Sequence, residues 1–320
     1  MNQHDAPAFT RLINLAAAQL GAEALLCTDD FFAEKENLLR PEKAVFIDGK
    51  YTDRGKWMDG WESRRKRTPG HDFAIIRLGL SGVVRGVVVD TAFFKGNYPS
   101  ACSIEGVSLP AHASVDELLR EDLEWTPLLD RVNLAGDSEN AFAVAASDRV
   151  THLRLHIYPD GGVARLRVYG DVVPSPRFLG RPGRPQEVDV AAVEHGAFVE
   201  SCNDMFFGSR HNLISPGRAG NMGDGWETKR SRREGPDWVI LRLAARAHIH
   251  RALVDTLHFK GNFPESCGIY GLDVQEGDAA NERAAWQEIL PRTKLSAHTL
   301  HDFEKECRAV GPVTHVMMRI

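Results

Sequence analysis

The sequence predicts an all-β protein built as two tandem homologous jelly-roll β-sandwich domains with few short helices. Three observations carry that reading. The chain repeats long motifs in order, its apolar residues fall in short stretches rich in β-formers, and only three segments have a helical pattern.

The repeat is the strongest of the three. Cys27-Thr-Asp-Asp-Phe-Phe32 returns as Cys202-Asn-Asp-Met-Phe-Phe207, and Asp59-Gly-Trp-Glu62 returns as Asp224-Gly-Trp-Glu227. Asp90-Thr-Ala-Phe-Phe-Lys-Gly-Asn-Tyr-Pro99 returns as Asp255-Thr-Leu-His-Phe-Lys-Gly-Asn-Phe-Pro264. Cys27, Asn37 and Pro41 are displaced by 175 positions from their copies, whereas Trp61, Asp90, Lys95 and Cys102 are displaced by 165. The first copy therefore holds ten extra residues, within the polar, Gly-containing stretch Phe46 to Met58, which reads as a loop insertion. A unit of this length is too long for a solenoid repeat and large enough to enclose its own core. The expected organisation is a first repeat over 1–173, a linker over 174–186 and a second repeat over 187–320. The linker is placed where four prolines and two glycines fall within the twelve residues Pro174 to Pro185.

Within each copy the elements follow from local pattern. Phe73 to Leu78 and Val87 to Thr91 are short apolar runs, and Thr151 to Tyr158 and Ala164 to Tyr169 alternate apolar with polar, as half-buried antiparallel strands do. Tyr158-Pro-Asp-Gly-Gly162 carries hairpin-turn chemistry between the last two. Asn14 to Leu20, Val115 to Glu124 and Asn281 to Leu290 have helical spacing. Many short strands in one domain of this length form a β-sandwich of jelly-roll type.

Composition excludes several classes. At 43% hydrophobic, 26% charged and a net charge of -5, the 320 residues make no call for nucleic acid, and no stretch resembles a membrane span. Met-Asn-Gln-His-Asp-Ala-Pro7 lacks the basic start and apolar core of a signal peptide, so a cytoplasmic protein is expected. Five cysteines without a Cys-x-x-Cys pair fit that compartment as buried free thiols, four of them at equivalent repeat positions.

Asp-Gly-Trp-Glu followed by a basic run, Asp-Thr-x-x-Phe-Lys-Gly-Asn-x-Pro, and Ile157-Tyr-Pro-Asp-Gly-Gly-Val-Ala-Arg-Leu-Arg167 together resemble the allantoicase family, from about Asn14 to the C-terminus and including the doubling. The resemblance implies modules similar to galactose-binding-like domains, a homo-oligomer, and hydrolysis of allantoate to ureidoglycolate and urea in purine breakdown. One departure stands out. The first repeat runs from Thr151 through the Tyr158 turn to Gly170, whereas the second reaches Thr314-His-Val-Met-Met-Arg-Ile320 without a following hairpin. An uncovered or oligomer-covered sheet edge is therefore expected beside Val316 to Ile320.

The implied reaction displaces urea from the methine carbon of a carboxylate-bearing substrate. That asks for a cation on the carboxylate, groups that trade protons, and partners for the ureido arms. Candidate proton-transfer residues are Glu227, Asp224 and His258; candidate substrate contacts are Lys260, Arg230, Asn262, Trp226, Lys95 and Asn97. Each has a structural alternative. Asp-Gly makes a turn, Trp226 fills a core, a basic run is a solvated face, and Gly-Asn-x-Pro ties down its own loop. His258 is singled out because the first repeat has Phe93 there; a titratable ring replaces an apolar one in an otherwise preserved loop. His248-Ile-His250 reads as a solvent-facing pair, so no metal ligand set is assigned, no cofactor is required, and divalent-metal dependence stays open. The rival function is a non-catalytic tandem carbohydrate-binding protein.

Overall fold

The computed structural model describes residues 7–145, 148–174, 187–230, 235–275 and 278–320. The chain forms two compact units, Met1–Ser175 and Pro176–Ile320. Most of the segment expected as the linker lies outside the described residues.

In the first unit a single strand, Asp72–Asp90, serves both layers of a sandwich. Its first half pairs on one side with Glu23–Cys27 and on the other with Arg149–Tyr158, which continues through Ala101–Val107 to Thr126–Asn133. Its second half pairs with Glu139–Ala143 on one side and with Arg165–Val172, which continues to Ile13–Asn14, on the other. The two apolar runs expected as separate strands are thus one element. It crosses between layers where Gly82 lets it pass the partner strand: a Cβ there would lie 2.2 Å from the Asp171 carbonyl oxygen. The alternation expected for the later strands holds, since Leu153, Leu155, Ile157, Leu166 and Val168 are all fully buried in the core.

The second unit has a five-stranded sheet in the order Phe198–Cys202, Trp238–Ala247, Val313–Arg319, Ser266–Leu272, Gln287–Lys294, with Ala252–Asp255 and Leu300–Phe303 as a separate pair. Here the long strand is interrupted, and His248 to Arg251 separate its two halves.

Five expectations need correction. The edge beside Val316–Ile320 is not open, because Val313–Arg319 pairs with Trp238–Ala247 on one side and with Ser266–Leu272 on the other. The physical reason is visible in the first repeat. Arg165–Val172 is not the hairpin partner of Arg149–Tyr158; it pairs with the far half of the long strand, so Tyr158 to Gly162 carries the chain between layers. Asn281 to Leu290 is not a helix, since its last residues open the Gln287–Lys294 strand, which sends Ile289 and Leu290 into the core. Asn14 to Leu20 is a two-residue strand end followed by a short 3-10 turn at Ala18–Leu20. Of the third expected helix only one turn forms, Val115–Leu118, held by a capping box in which Ser114 and Glu117 satisfy each other's backbone N–H groups.

The five cysteines are free thiols. Burial pushes the Cys102 thiol up to about 12 and that of Cys267 up to about 11.

Candidate active site

Each repeat brings together the last residue of its Asp-Gly-Trp-Glu motif and the asparagine of its Lys-Gly-Asn loop. Asn97 Nδ2 donates to Glu62 Oε1 at 2.7 Å, and Asn262 Nδ2 donates to Glu227 Oε1 at 2.5 Å. The glutamates are fixed from behind by the same backbone device: Glu62 bridges to Ala33, and Glu227 bridges to Gly208. The tryptophan between turn and glutamate anchors the motif. Trp61 Nε1 donates to the Asp29 carbonyl and Trp226 Nε1 to the Asp204 carbonyl, both at 2.8 Å, with both rings buried. The preserved asparagines upstream complete the scaffold, Asn37 donating to the Gly60 carbonyl and Asn212 to those of Gly223 and Gly225.

The environments of the two glutamates differ. Burial pushes the Glu62 carboxyl above the ordinary carboxylate value, against the hydrogen bond from Asn97 that lowers it. The inserted segment of the first repeat folds as a small hairpin, Tyr51–Thr52 with Gly55–Lys56. It brings Phe46 against Phe93 at 5.8 Å and Lys56 over the Phe46 ring.

That contact explains the Phe93-to-His258 difference. Both residues have left-handed backbone, φ 68° and 69°, at the same loop position. In the first repeat the Phe93 N–H donates to Asp137 Oδ1, and the ring is faced by the insertion. In the second the His258 N–H donates to His298 Nδ1 at 3.0 Å, and its own Nε2 donates to the Ala219 carbonyl at 3.1 Å. His258 is hydrogen-bonded to two other segments, at His298 and Ala219, and no hydrogen bond joins it to Glu227 or Asn262 among the described residues.

Other expected residues separate in the same way. The Asp224 carboxylate accepts from the Gly220 and Asn221 backbone and from Asn221 Nδ2, capping its own turn. Trp226 is buried and hydrogen-bonded, and so offers no free stacking wall. Arg230 and Lys260 are exposed, and Lys95 lies 3.7 Å from Asp137. The first residue of each basic run, two positions after the motif, has a structural partner: Arg64 pairs with Asp29, and Lys229 with Asp204. His248 and His250 are exposed and stacked on each other, as expected.

Two features escaped the sequence reading. Arg165 is a buried cation whose guanidinium donates to Asp59 Oδ2 at 2.8 Å and to the carbonyls of Asp59, Ala164 and Glu42. On the outer face of the first unit, Glu105, His156 and His71 form a hydrogen-bonded chain at 3.0 and 2.8 Å. The alternation of His152, Arg154 and His156 placed these side chains on one face, but no local pattern paired them with Glu105. Among the described residues, no group of three or more His, Cys, Asp or Glu side chains is placed to hold a metal.

The fold and these paired loops define a class: a tandem β-sandwich protein with one carboxylate–amide pair per repeat. The allantoicase repeat family model matches residues 13–173 and 188–320. The chain therefore belongs to the allantoicase family. It is 47% identical to a probable allantoicase of Photobacterium profundum, over 98% of this chain and 93% of that one. It is also 47% identical to probable allantoicase 2 of Burkholderia mallei, over 99% and 93%. The crystal structure of allantoicase from Saccharomyces cerevisiae superposes with a TM-score of 0.83 at 31% identity, covering 100% of this chain and 94% of that one.

Proposed function

We propose that this chain is a hydrolase that converts allantoate to ureidoglycolate and urea, breaking a C–N bond at the methine carbon. The observation that carries the reading is the family match over both repeats, whose most strongly preserved loops converge on the Glu–Asn pairs. The rival carbohydrate-binding reading has no such support. Chemically, urea leaves with a proton supplied to its nitrogen, and water adds to the carbon of the resulting N-acyliminium as the carboxylate removes one proton from that water. A single carboxyl that alternates between the two states serves both steps.

Glu227 with Asn262 is that pair in the second repeat, and Glu62 with Asn97 is its counterpart in the first. Burial raises the carboxyl of Glu62, which is the direction a proton-donating acid requires. Lys260 and Lys95 are the candidate clamps for the substrate carboxylate, with Arg230 as a further cation and the asparagine amides as partners for a ureido arm. Asp224, Trp226 and His258 shape the loops that present these groups. No step in this scheme passes through a metal, so dialysis against a chelator is expected to leave turnover unchanged. Together with allantoate as substrate we propose a cytoplasmic homo-oligomer, to be checked by fractionation and sedimentation. No helix of the described residues is long and apolar enough to cross a membrane. The test is urea release from allantoate by the purified chain. Failure of a folded sample to release urea overturns the proposal.

A further inference from the structure

In the first repeat a third segment closes the glutamate–asparagine pair into a ring. Asn97 Nδ2 donates to Glu62 Oε1 at 2.7 Å, and the Asn97 carbonyl accepts from the Gly162 N–H at 2.7 Å. One residue back, the Gly161 N–H donates to Ser63 Oγ at 3.2 Å, and the Gly161 carbonyl accepts from the Ser63 N–H at 3.2 Å. Ser63 follows Glu62 in the chain, so the path returns to its start. Three segments far apart in sequence hold one another in a closed circuit.

The turn leaves this circuit no slack. Gly161 has φ 130°, and a Cβ there would lie 2.6 Å from the Asn97 carbonyl oxygen. A Cβ on Gly162 would lie 1.9 Å from the Phe94 ring, which is fully buried. The two glycines therefore let the turn press directly on the loop that carries Asn97. Upstream the turn is tied to the same loop, since the Ser100 N–H and hydroxyl both donate to the Tyr158 carbonyl at 2.9 Å. On its other side, Gly162 and Val163 pair with Glu62 and Trp61.

Besides Glu62 and Asn97, Ser63 is the side chain that contributes a bond to the circuit. It is 3% exposed, so solvent does not reach the Gly161 N–H to replace its hydroxyl as acceptor. Alternation along the extended segment explains the placement: Trp61 and Ser63 are buried, and Glu62 between them is half-buried. The second repeat has Thr228 at this position, which keeps the hydroxyl. With Oε1 taken by Asn97, Glu62 Oε2 has no hydrogen-bond partner among the described residues and is the oxygen left to carry a proton.

We propose that Ser63 is a positioning residue for the Glu62–Asn97 pair: its hydroxyl fixes the Gly161 and Gly162 turn, the turn fixes the Asn97 loop, and Asn97 then meets Glu62 Oε1 in one orientation. The inference rests on the reading that Glu62 trades protons with the substrate. Its effect has a sign. Burial raises the proton affinity of Glu62 and the Asn97 hydrogen bond lowers it, with no charged side chain adding to these two. Loosening Asn97 weakens the lowering influence, so Glu62 titrates at higher pH.

The test uses the full chain with isotope-labelled glutamate carboxyls followed by NMR, the Glu62 signal being identified by its absence from Glu62→Gln. Ser63→Ala should raise the Glu62 titration midpoint by about half a pH unit or more, lower kcat for urea release by about tenfold or more, and leave KM within about threefold. Ser63→Thr restores the hydroxyl and should return the midpoint and kcat to the parent values. Should Ser63→Ala not fold, Ser63→Cys, close in size but a weak acceptor, should show the same raised midpoint. An unmoved midpoint in a folded variant overturns the proposal, as does a Ser63→Thr protein as impaired as Ser63→Ala. A midpoint that moves while kcat stays at the parent value overturns the role in turnover. Glu62→Gln separates this failure from that of the underlying reading. Parent-like urea release by Glu62→Gln removes Glu62 from the chemistry and the positioning role with it, whereas an inactive Glu62→Gln beside a parent-like Ser63→Ala overturns the positioning role alone.

Discussion

At the scale of single residues, the copies preserve a carboxylate–amide pair and differ in what surrounds it. Glu62 is the sharper case, because burial raises its carboxyl above the ordinary value. The folded state then binds a proton more readily than the unfolded chain, so the Glu62 contribution to stability grows as pH falls through that window and is a cost above it. Glu62→Gln removes the ionisable group while its amide oxygen can still accept from Asn97. Expected are a Tm at neutral pH equal to or above that of the parent, and urea release lowered by about two orders of magnitude or more. Glu227→Gln run in parallel shows which copy carries turnover. For His258 the geometry makes a contrasting prediction. Its ring is spent on the Ala219 carbonyl, so His258→Ala should cost about 1 kcal/mol of stability and change kcat by less than about tenfold. A larger drop in a folded, thermally unaltered variant would return His258 to the chemistry.

At the scale of elements, the Asp59–Arg165 pair fastens the motif turn to the second layer. Burial opposes the charge on Asp59, but the hydrogen bonds from Arg165 and the Val45 N–H hold its carboxyl below the usual range. With both side chains almost wholly buried, Asp59→Ala strands a guanidinium in the interior and should destabilise the chain by about 3–5 kcal/mol in denaturant titration. Replacing both residues, as Asp59→Ala with Arg165→Met, should cost less than Asp59→Ala alone, because no unpaired charge remains. An additive result would show that the pair is not coupled. The turn signals, the strand alternation and the insertion were legible in the sequence because they depend on neighbours along the chain. This ion pair was not, since its members lie in segments 106 residues apart and an arginine in an alternating strand looks like a solvated one.

For the whole molecule, the two units share a plan but not a perimeter. The first sandwich is built around one strand that belongs to both layers, and the second breaks that strand and leaves its far half paired on one side among the described residues. A stability that falls in acid is the outcome expected of this packing. His152 is fully buried, and burial, with Arg77 nearby, pushes its imidazole down to about 4. The unfolded chain therefore takes up a proton from about pH 6.5 downward while the folded chain refuses it, so stability falls as pH drops from there towards about 4. In His152→Leu the slope of Tm against pH over that interval should be shallower. An unchanged slope would place the acid-sensitive group elsewhere.

The sequence by itself determined the doubling, the β class, the family and the two loops that carry the Glu–Asn pairs, because repeats, alternation and turn residues are written in local order. Only the tertiary structure decided which strands are neighbours. Tyr158 to Gly162 has the composition of a hairpin turn, yet the strands it joins pair with different halves of Asp72–Asp90. Hydrogen bonding to a third strand, not the turn's own chemistry, sets that choice. It is why, among the described residues, Ala252–Asp255 pairs on one side alone while Val313–Arg319 is paired on both.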